Sequence, residues 1–272
     1  MKYLVLGSDP EAFLRDSQGR LVSAIGVIPG TKTNPHKTEH GAIQVDNILA
    51  EFNSKPAFSK DEFITNHNLI ITELSDILKP LDLRLDFVAS ALADQSLLSE
   101  PSAREAGCDP DFNAWTMEVN EPADYTNNDY RGAGGHVHIS FNQAEEEGDN
   151  NEHRIKMVKA LDLVLGVPSV LHDKDTTRRL YYGKAGSYRP KYKNYADPYD
   201  GIEYRTLSNF WLNSEKLMGM VWAGVELAHN NLDELANLAE FFKESVISCI
   251  NHGDSKSAEV LCRRLELNHA FI

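Results

Sequence analysis

Long apolar runs are missing from this 272-residue chain. The N-terminus offers only Tyr3-Leu4-Val5-Leu6 before Asp9 and Glu11, shorter than a secretory signal, and no stretch approaches a membrane span. Cysteine is scarce. Cys108, Cys249 and Cys262 stand far apart without a CxxC pairing, which excludes a closed thiolate zinc site and fits reduced thiols better than a disulfide framework. Cationic charge is in deficit: Lys+Arg 27 against Asp+Glu 41 leaves a net charge of −14, which argues against generic binding to nucleic acid or anionic membrane. A G-x-x-x-x-G-K-S/T loop is absent, as is the protein-kinase signature set. No repeat, low-complexity tract or convincing linker interrupts the chain. The expectation is one cytoplasmic domain over residues 1–272, with a helical C-terminal part from about 213.

What is present centres on Gly134-Gly135-His136-Val137-His138-Ile139-Ser140-Phe141. At the two-residue period of a strand, Val137, Ile139 and Phe141 share one face and His136, His138 and Ser140 the other. The first face suits a core. The second offers nitrogen and oxygen ligands, reached past glycines that permit close approach.

Other polar groups recur at the same spacing. Short strands are predicted over 2–7 and 11–25, with Asp16-Ser17-Gln18-Gly19 as turn chemistry. Asp9 and Glu11 would share a face if a strand runs through Asp9-Pro10-Glu11, although D-x-E also fits a solvated turn. In 43–53, read as one strand, Asn47, Glu51 and Asn53 share a face with Val45 and Leu49, where a charge is poorly hydrated and needs a partner or cation. Ser59-Lys60-Asp61-Glu62 has the form of a capping box ahead of a helix that Pro80 stops, and His67 on its apolar stripe reads as a core histidine. Leu83 to Ala93 reads as a strand. Asp109, Asp111 and Asn113 alternate and suit either an Asx-rich turn or substrate contact. Glu145 to Glu147 reads as a solvated loop. A helix from about Glu152 is expected to stop near Gly166 and Pro168, with a short second segment to Asp173.

Thr176 to Ala196 carries Arg178, Arg179, Lys184, Arg189, Lys191 and Lys193 and no acid, interleaved with glycines and tyrosines. Cations around glycines suit a small-molecule phosphate, with nucleic acid as the rival. Glu203 and Arg205 then share a strand face, either as a salt bridge or as a metal ligand beside a phosphate clamp. Three C-terminal helices are predicted, from a cap at Asn213 to Asn230, over Asp233–Asn251 and over Ser255–Leu267. His229, His252 and His269 lie near helix ends and are assigned no catalysis. Asp9, Glu11, Glu51 and Glu203 with His136 form a hard, oxygen-rich donor set suited to magnesium or manganese, and adjacent Arg and Lys would clamp phosphate oxygens. Together they form the equipment of phosphoryl transfer from a nucleotide.

These residues carry a resemblance. Gly134 to Ser140 resembles the G-x-G-M-H-x-H-x-S strand of glutamine synthetases, Gly201-Ile202-Glu203-Tyr204-Arg205 their R-I/V-E-x-R strand, and Arg189-Pro190-Lys191 their arginine-bearing nucleotide loop. Asp9-Pro10-Glu11 takes the place of their E-x-E strand, with Asp9 for a glutamate. The ordered set G-S-D-P-E-x-F, D-N-x-x-x-E-F-N, G-C-x-P-D-F-N-A, A-G-G-H-x-H-I, Y-G-K-A-G-x-Y-R and E-Y-R-T-L-S-N-F-W, ending near residue 212, is similar to the phage-associated COOH–NH2 ligases, amidoligases of the glutamine-synthetase-like superfamily.

The resemblance implies an α+β fold, a curved, mainly antiparallel sheet with helices on its outer face. It implies an ATP-dependent carboxylate–amine ligase working through an acyl phosphate, with Mg2+ or Mn2+, on small-molecule or peptide carboxylates and amines. The host cytoplasm is implied if the chain is phage-encoded, and a homo-oligomer is compatible with it. Carried over, Glu11, Glu51, His136 and Glu203 with Asp9 are metal ligands. His138, Ser140, Lys184, Arg189, Lys191 and Arg205 contact nucleotide or acyl phosphate, and Glu11, Glu203, Arg189 and Arg205 serve catalysis. Asp109, Asp111 and Asn113 are assigned to substrate or amine recognition. The alternatives are a guanidino-type phosphotransferase, a metal-dependent amidohydrolase or a non-enzymatic virion-associated protein.

Overall fold

A computed structural model describes residues 4–104, 111–121, 128–141, 151–192 and 200–271, and only the backbone of Phe141. Strands β1 (Val5–Ser8) and β2 (Glu11–Asp16) flank Asp9-Pro10. Proline has no N–H to donate, and the chain changes sheets there. Asp9 and Glu11 therefore do not lie on one continuous strand. Strand β3 (Leu21–Val22) returns after a turn in which Asp16 Oδ1 accepts the Gln18 and Arg20 N–H groups, both at 2.9 Å. Beyond β4 (His36–Lys37), the stretch expected as one strand is a hairpin of β5 (Gly41–Asp46) and β6 (Leu49–Ser54). Asn47, at φ 58°, makes its turn, a left-handed position that asparagine tolerates. Asn47 thus does not share a strand face with Glu51.

Helix α1 (Lys60–Leu78) starts as expected: Ser59 accepts the Glu62 N–H, and Glu62 accepts the Phe58 N–H at 2.7 Å. His67 is buried in the core, bonded to Ser8 Oγ at 2.5 Å and Phe63 O at 2.6 Å. Residues 83–93 divide into β7 (Leu83–Asp86) and β8 (Ser90–Leu92). Then come β9 (Phe112–Asn113), β10 (Glu118–Val119), β11 (Tyr130–Gly132) and β12 (Val137–Phe141).

Helix α2 (Asn151–Leu161) does not stop at Gly166 but widens into a π-helical turn, Asp162–Gly166, and continues as α3 (Val167–His172). Pro168, which has no N–H to donate, follows directly on the π-helical turn. After α4 (Arg178–Tyr181), Arg189 and Lys191 lie on a strand, β13 (Ser187–Lys191), followed by β14 (Asp200–Tyr204). The C-terminal helices are α5 (Glu215–Asn230), α6 (Leu232–Phe241), α7 (Lys243–His252) and α8 (Ser255–Arg264). Ser214, not Asn213, caps α5, and the helix expected over 233–251 is two.

One antiparallel sheet runs β1-β12-β14-β13-β9-β10 and a second β3-β2-β6-β5-β4. Paired backbone bonds between Leu6 and Ala57, at 3.0 and 2.7 Å, tie β1 to the chain just past β6, so the sheets abut. Val137, Ile139, Ile202 and Tyr204 turn their face to the helices, in a core with Leu161, Val164, Leu165 and Val221. This curled antiparallel sheet with helices behind it is the expected fold class. Among the described residues no helix is long and apolar enough to cross a membrane.

Candidate functional site

Register builds the first half of the site. Gly7, His138, Glu203 and Arg189 face one another across β1, β12, β14 and β13, and Val5, Ser140, Gly201 and Lys191 form the next row on the same face. Because the opposite face is apolar and buried, a one-residue slip would drive this polar row into the core, which fixes the register.

Asp9 closes the row from the end of β1. Its Oδ1 lies 3.2 Å from His138 Nε2 and 3.3 Å from His136 Nδ1. Glu203 Oε1 lies 3.4 Å from His136 Nδ1 and 3.8 Å from Arg189 Nη1, and pairs closely with Arg205 Nη1. Lys191 Nζ is 3.3 Å from His138 Nδ1, and Arg205 Nε 3.8 Å from Asp111 Oδ2.

The second half belongs to the other sheet. Glu11 and Glu51 are directly opposite in the β2/β6 ladder, so their side chains leave the same face. Glu11 Oε2 accepts the Gly134 N–H at 2.6 Å, and the Glu11 carbonyl accepts from Asn209 at 2.8 Å. Asp46, paired with Lys32 at 2.7 Å, adds a third negative field felt by both glutamates.

Burial sets the protonation. It raises Glu11 to about 7, with Asp46 adding to the shift, and lifts Glu51 well above the usual range, reinforced by Asp9, Asp46 and Glu11. Burial also holds His136 down to about 4, helped by the Arg205 charge. For Asp9 burial pushes upward but is outweighed by the two imidazoles, and its carboxyl sits well below the usual range. Glu203 is likewise lowered against burial, chiefly by Arg205.

A divalent cation fits this donor set. Asp9 Oδ1, His138 Nε2 and Glu51 Oε2 are buried without a hydrogen-bond partner, and two of them are only 3.2 Å apart. Ligand atoms of Asp9, His138 and Glu203 all lie within 4.8 Å of one another. Carboxylate oxygens and imidazole nitrogens at this spacing are hard or borderline donors, suited to magnesium or manganese. The resemblance puts His136 among the ligands and His138 on the nucleotide; the geometry sets both rings against Asp9.

Several expected residues stand apart. Lys184 has an exposed side chain, while its carbonyl accepts from Thr206 at 3.1 Å. Ser140 is buried one row from His138. Asn113 is spent on structure: its amide donates to Asn120 and Ala185, and its oxygen accepts the Trp115 N–H at 2.9 Å. Asp111 of the same group reaches the site, and Asp109 lies outside the described residues. Lys193 and the 145–147 acids also fall outside them. The cation-rich segment divides. Buried Arg178 donates to the carbonyls of Arg205, Thr206 and Leu207, and Arg179 pairs with Asp173 at 3.3 Å. Among the described residues of that segment, Arg189 faces Glu203 and Lys191 faces His138.

Three contributors escape a reading of the sequence. Asp46 is hidden because its hairpin is read as one strand. Tyr182 reaches His136 Nε2 through its hydroxyl at 2.6 Å. Asp162 sits fully buried behind the sheet, accepting from Trp115 Nε1 (2.6 Å), Gly186 N (2.6 Å), Tyr204 Oη (2.7 Å) and Thr206 Oγ1 (3.3 Å). Each of those partners lies within three residues of Asn113, Arg189, Glu203 or Arg205. A carboxylate inside the Leu161–Leu165 apolar stripe was the available signal.

A curled antiparallel sheet gathers acids, imidazoles and guanidiniums on its open face, and the family the chain matches is one of carboxylate–amine ligases. A family model described as Phage phiEco32-like COOH.NH2 ligase-type 2 matches residues 126–268, more than half of the chain, and the chain belongs to that family. No curated protein matches it. Among solved structures it is similar to one described as a novel glutamine synthase homolog, with TM-score 0.46 and 13% identity, covering 98% of this chain and 67% of that one. It is also similar to a bifunctional glutathione synthetase from Pasteurella multocida, with TM-score 0.44 and 12% identity, covering 97% of this chain and 49% of that one. A third, GmaS without ligand, gives TM-score 0.43 and 12% identity, covering 98% of this chain and 69% of that one. Likenesses this distant say nothing about substrate or mechanism.

Proposed function

We propose that the protein joins a carboxylate to an amine at the expense of ATP, through an acyl phosphate and with magnesium or manganese. The observation that carries this reading is the meeting of Asp9, His136, His138 and Glu203 with Arg189 and Arg205, beside a second carboxylate pair, Glu11 and Glu51. Asp9, His138 or His136, and Glu203 would hold one cation, and Glu11 with Glu51 a second. A cation held there would neutralise phosphate charge.

Arg189 and Arg205 stand across Glu203 and offset the charge spread over the phosphoryl group as it moves to the substrate carboxylate. Lys191 adds a third cation on the same sheet face. Bond formation then takes place where Asp111 and Arg205 meet, with the amine displacing phosphate from the activated acyl group. The substrates are small-molecule or peptide carboxylates and amines, bound by residues 1–272 acting as one catalytic unit; a net charge of −14 leaves nucleic acid and anionic membranes as poor partners.

The test is mass spectrometry of products formed with ATP and Mg2+ in a pool of carboxylates and amines. An ATP-dependent amide with release of phosphate is expected, lost in Glu203→Gln and His136→Ala while both remain folded. Full turnover in either variant, or a phosphorylated amine with no amide, would overturn the reading.

A further inference from the structure

Tyr182 touches two site residues at once. Its hydroxyl lies 2.6 Å from His136 Nε2, while its ring packs against two guanidiniums, with Arg205 Cζ 5.1 Å and Arg178 Cζ 4.9 Å from the centroid. The arginines are themselves tied together. Arg178 donates to the carbonyls of Thr206 (3.0 Å) and Leu207 (2.8 Å), and to that of Arg205 itself (3.4 Å). The next residue, Gly183, has φ +72°, and a Cβ there would lie 2.1 Å from Arg178 Nη1. The chain after Tyr182 is therefore fixed in a conformation that glycine alone adopts easily, with the arginine filling the space a side chain would take.

A neutral imidazole carries one ring proton, and the partner of one nitrogen decides the state of the other. His136 Nδ1 faces Asp9 Oδ1 and Glu203 Oε1, so its state matters to any cation those acids hold. A phenol both donates and accepts. When it donates to Nε2, the proton is on Nδ1 and points at the carboxylates; when it accepts from Nε2–H, Nδ1 offers a lone pair. Ionised carboxylates only accept, so Asp9 and Glu203 favour the first arrangement, with the Tyr182 hydroxyl donating to Nε2 and fixing the ring.

We infer that Tyr182 is a positioning residue of this site: its hydroxyl, bonded to Nε2, holds the His136 ring with Nδ1 toward Asp9 and Glu203, and its ring face holds the Arg205 guanidinium. The inference rests on the ligase reading for the purpose of the site, whereas the Tyr182 contacts exist without any ligand. Interactions behind a metal-ligating histidine change metal affinity by about 10–100-fold when removed. A guanidinium lying on an aromatic face is held by about 0.5–2 kcal/mol.

Two substitutions separate the two contacts. Tyr182→Phe removes one oxygen and keeps the ring; Tyr182→Leu removes both. In the metal-free protein, long-range 1H–15N spectra should show His136 protonated on Nδ1 with a hydrogen-bonded Nε2 in the wild type, and an Nε2 resonance shifted by loss of that bond in Tyr182→Phe. Titration with Mn2+, followed by electron paramagnetic resonance, should weaken about tenfold or more in both variants. Binding of ADP in the presence of a chelator should be unchanged in Tyr182→Phe and weaker in Tyr182→Leu, so that the phenyl ring rescues the Arg205-dependent readout. An unaltered His136 spectrum in Tyr182→Phe overturns the inference, as does equal ADP binding by the wild type and Tyr182→Leu. Failure of the ligase reading would show separately, as a wild type that binds no Mn2+ and forms no amide. The metal-free spectra then still decide the role of Tyr182, and Tyr182→Phe decides it if Tyr182→Leu does not fold.

Discussion

Replacing Asp162 separates the effect of a buried charge from that of the hydrogen bonds around it. In Asp162→Asn the amide oxygen can keep the Trp115 and Gly186 N–H groups, because both meet the same carboxylate oxygen at 2.6 Å. The Tyr204 and Thr206 hydroxyls, on the other oxygen, can rotate to accept from the new NH2. Asp162→Ala strands the indole and backbone N–H groups in the core, at about 1–3 kcal/mol each and roughly 2–6 kcal/mol together. The charge has a cost of its own. Burial raises the Asp162 carboxyl from 3.8 to about 6, a shift of roughly two units or about 3 kcal/mol. The folded acid keeps its proton to higher pH than the unfolded chain does, so the wild type loses this increment as pH rises from about 4 to about 6, and loses no more above that. Asparagine does not titrate. By urea unfolding, the stability of the wild type relative to Asp162→Asn should fall by about 3 kcal/mol across that window, with Asp162→Ala roughly 2–6 kcal/mol below Asp162→Asn throughout. A wild-type-to-Asn difference that does not change with pH would refute the buried charge, and an alanine variant as stable as the asparagine variant would refute the role of the donors.

Two further outcomes follow from the same geometry. Glu11, raised to about 7 by burial and by Asp46, and Glu51, raised well above the usual range, must lose their protons to take a cation, so Mn2+ affinity should climb with pH through about 7. Calorimetric titration that finds constant affinity from about pH 6 to about pH 8 would remove Glu11 from the cation site. Gly183→Ala places a side chain at φ +72° against Arg178 and should cost about 1–3 kcal/mol in thermal unfolding. An unchanged melting temperature would mean that Arg178 yields freely.

The sequence by itself determined the strands that carry the chemistry. Alternation is a local property of an extended chain, so His136, His138 and Ser140 opposite Val137 and Ile139, and Glu203 with Arg205 opposite Ile202 and Tyr204, were legible residue by residue. The Ser59 cap and the core place of His67 were legible for the same reason. Neighbours across strands are not local, and there the tertiary structure decided. Pro10 sends Asp9 and Glu11 to different sheets, and Asn47 turns one apparent strand into a hairpin that faces Glu51 toward Glu11. Of the cations between 176 and 192, Arg178 and Arg179 are consumed inside the fold while Arg189 meets Glu203 and Lys191 meets His138, although all share the same composition around them. Tyr182 and Asp162 acquire their places only through long-range pairing, since a hydroxyl 46 residues from its histidine and a carboxylate 42 residues from its tyrosine leave no periodic trace in the chain.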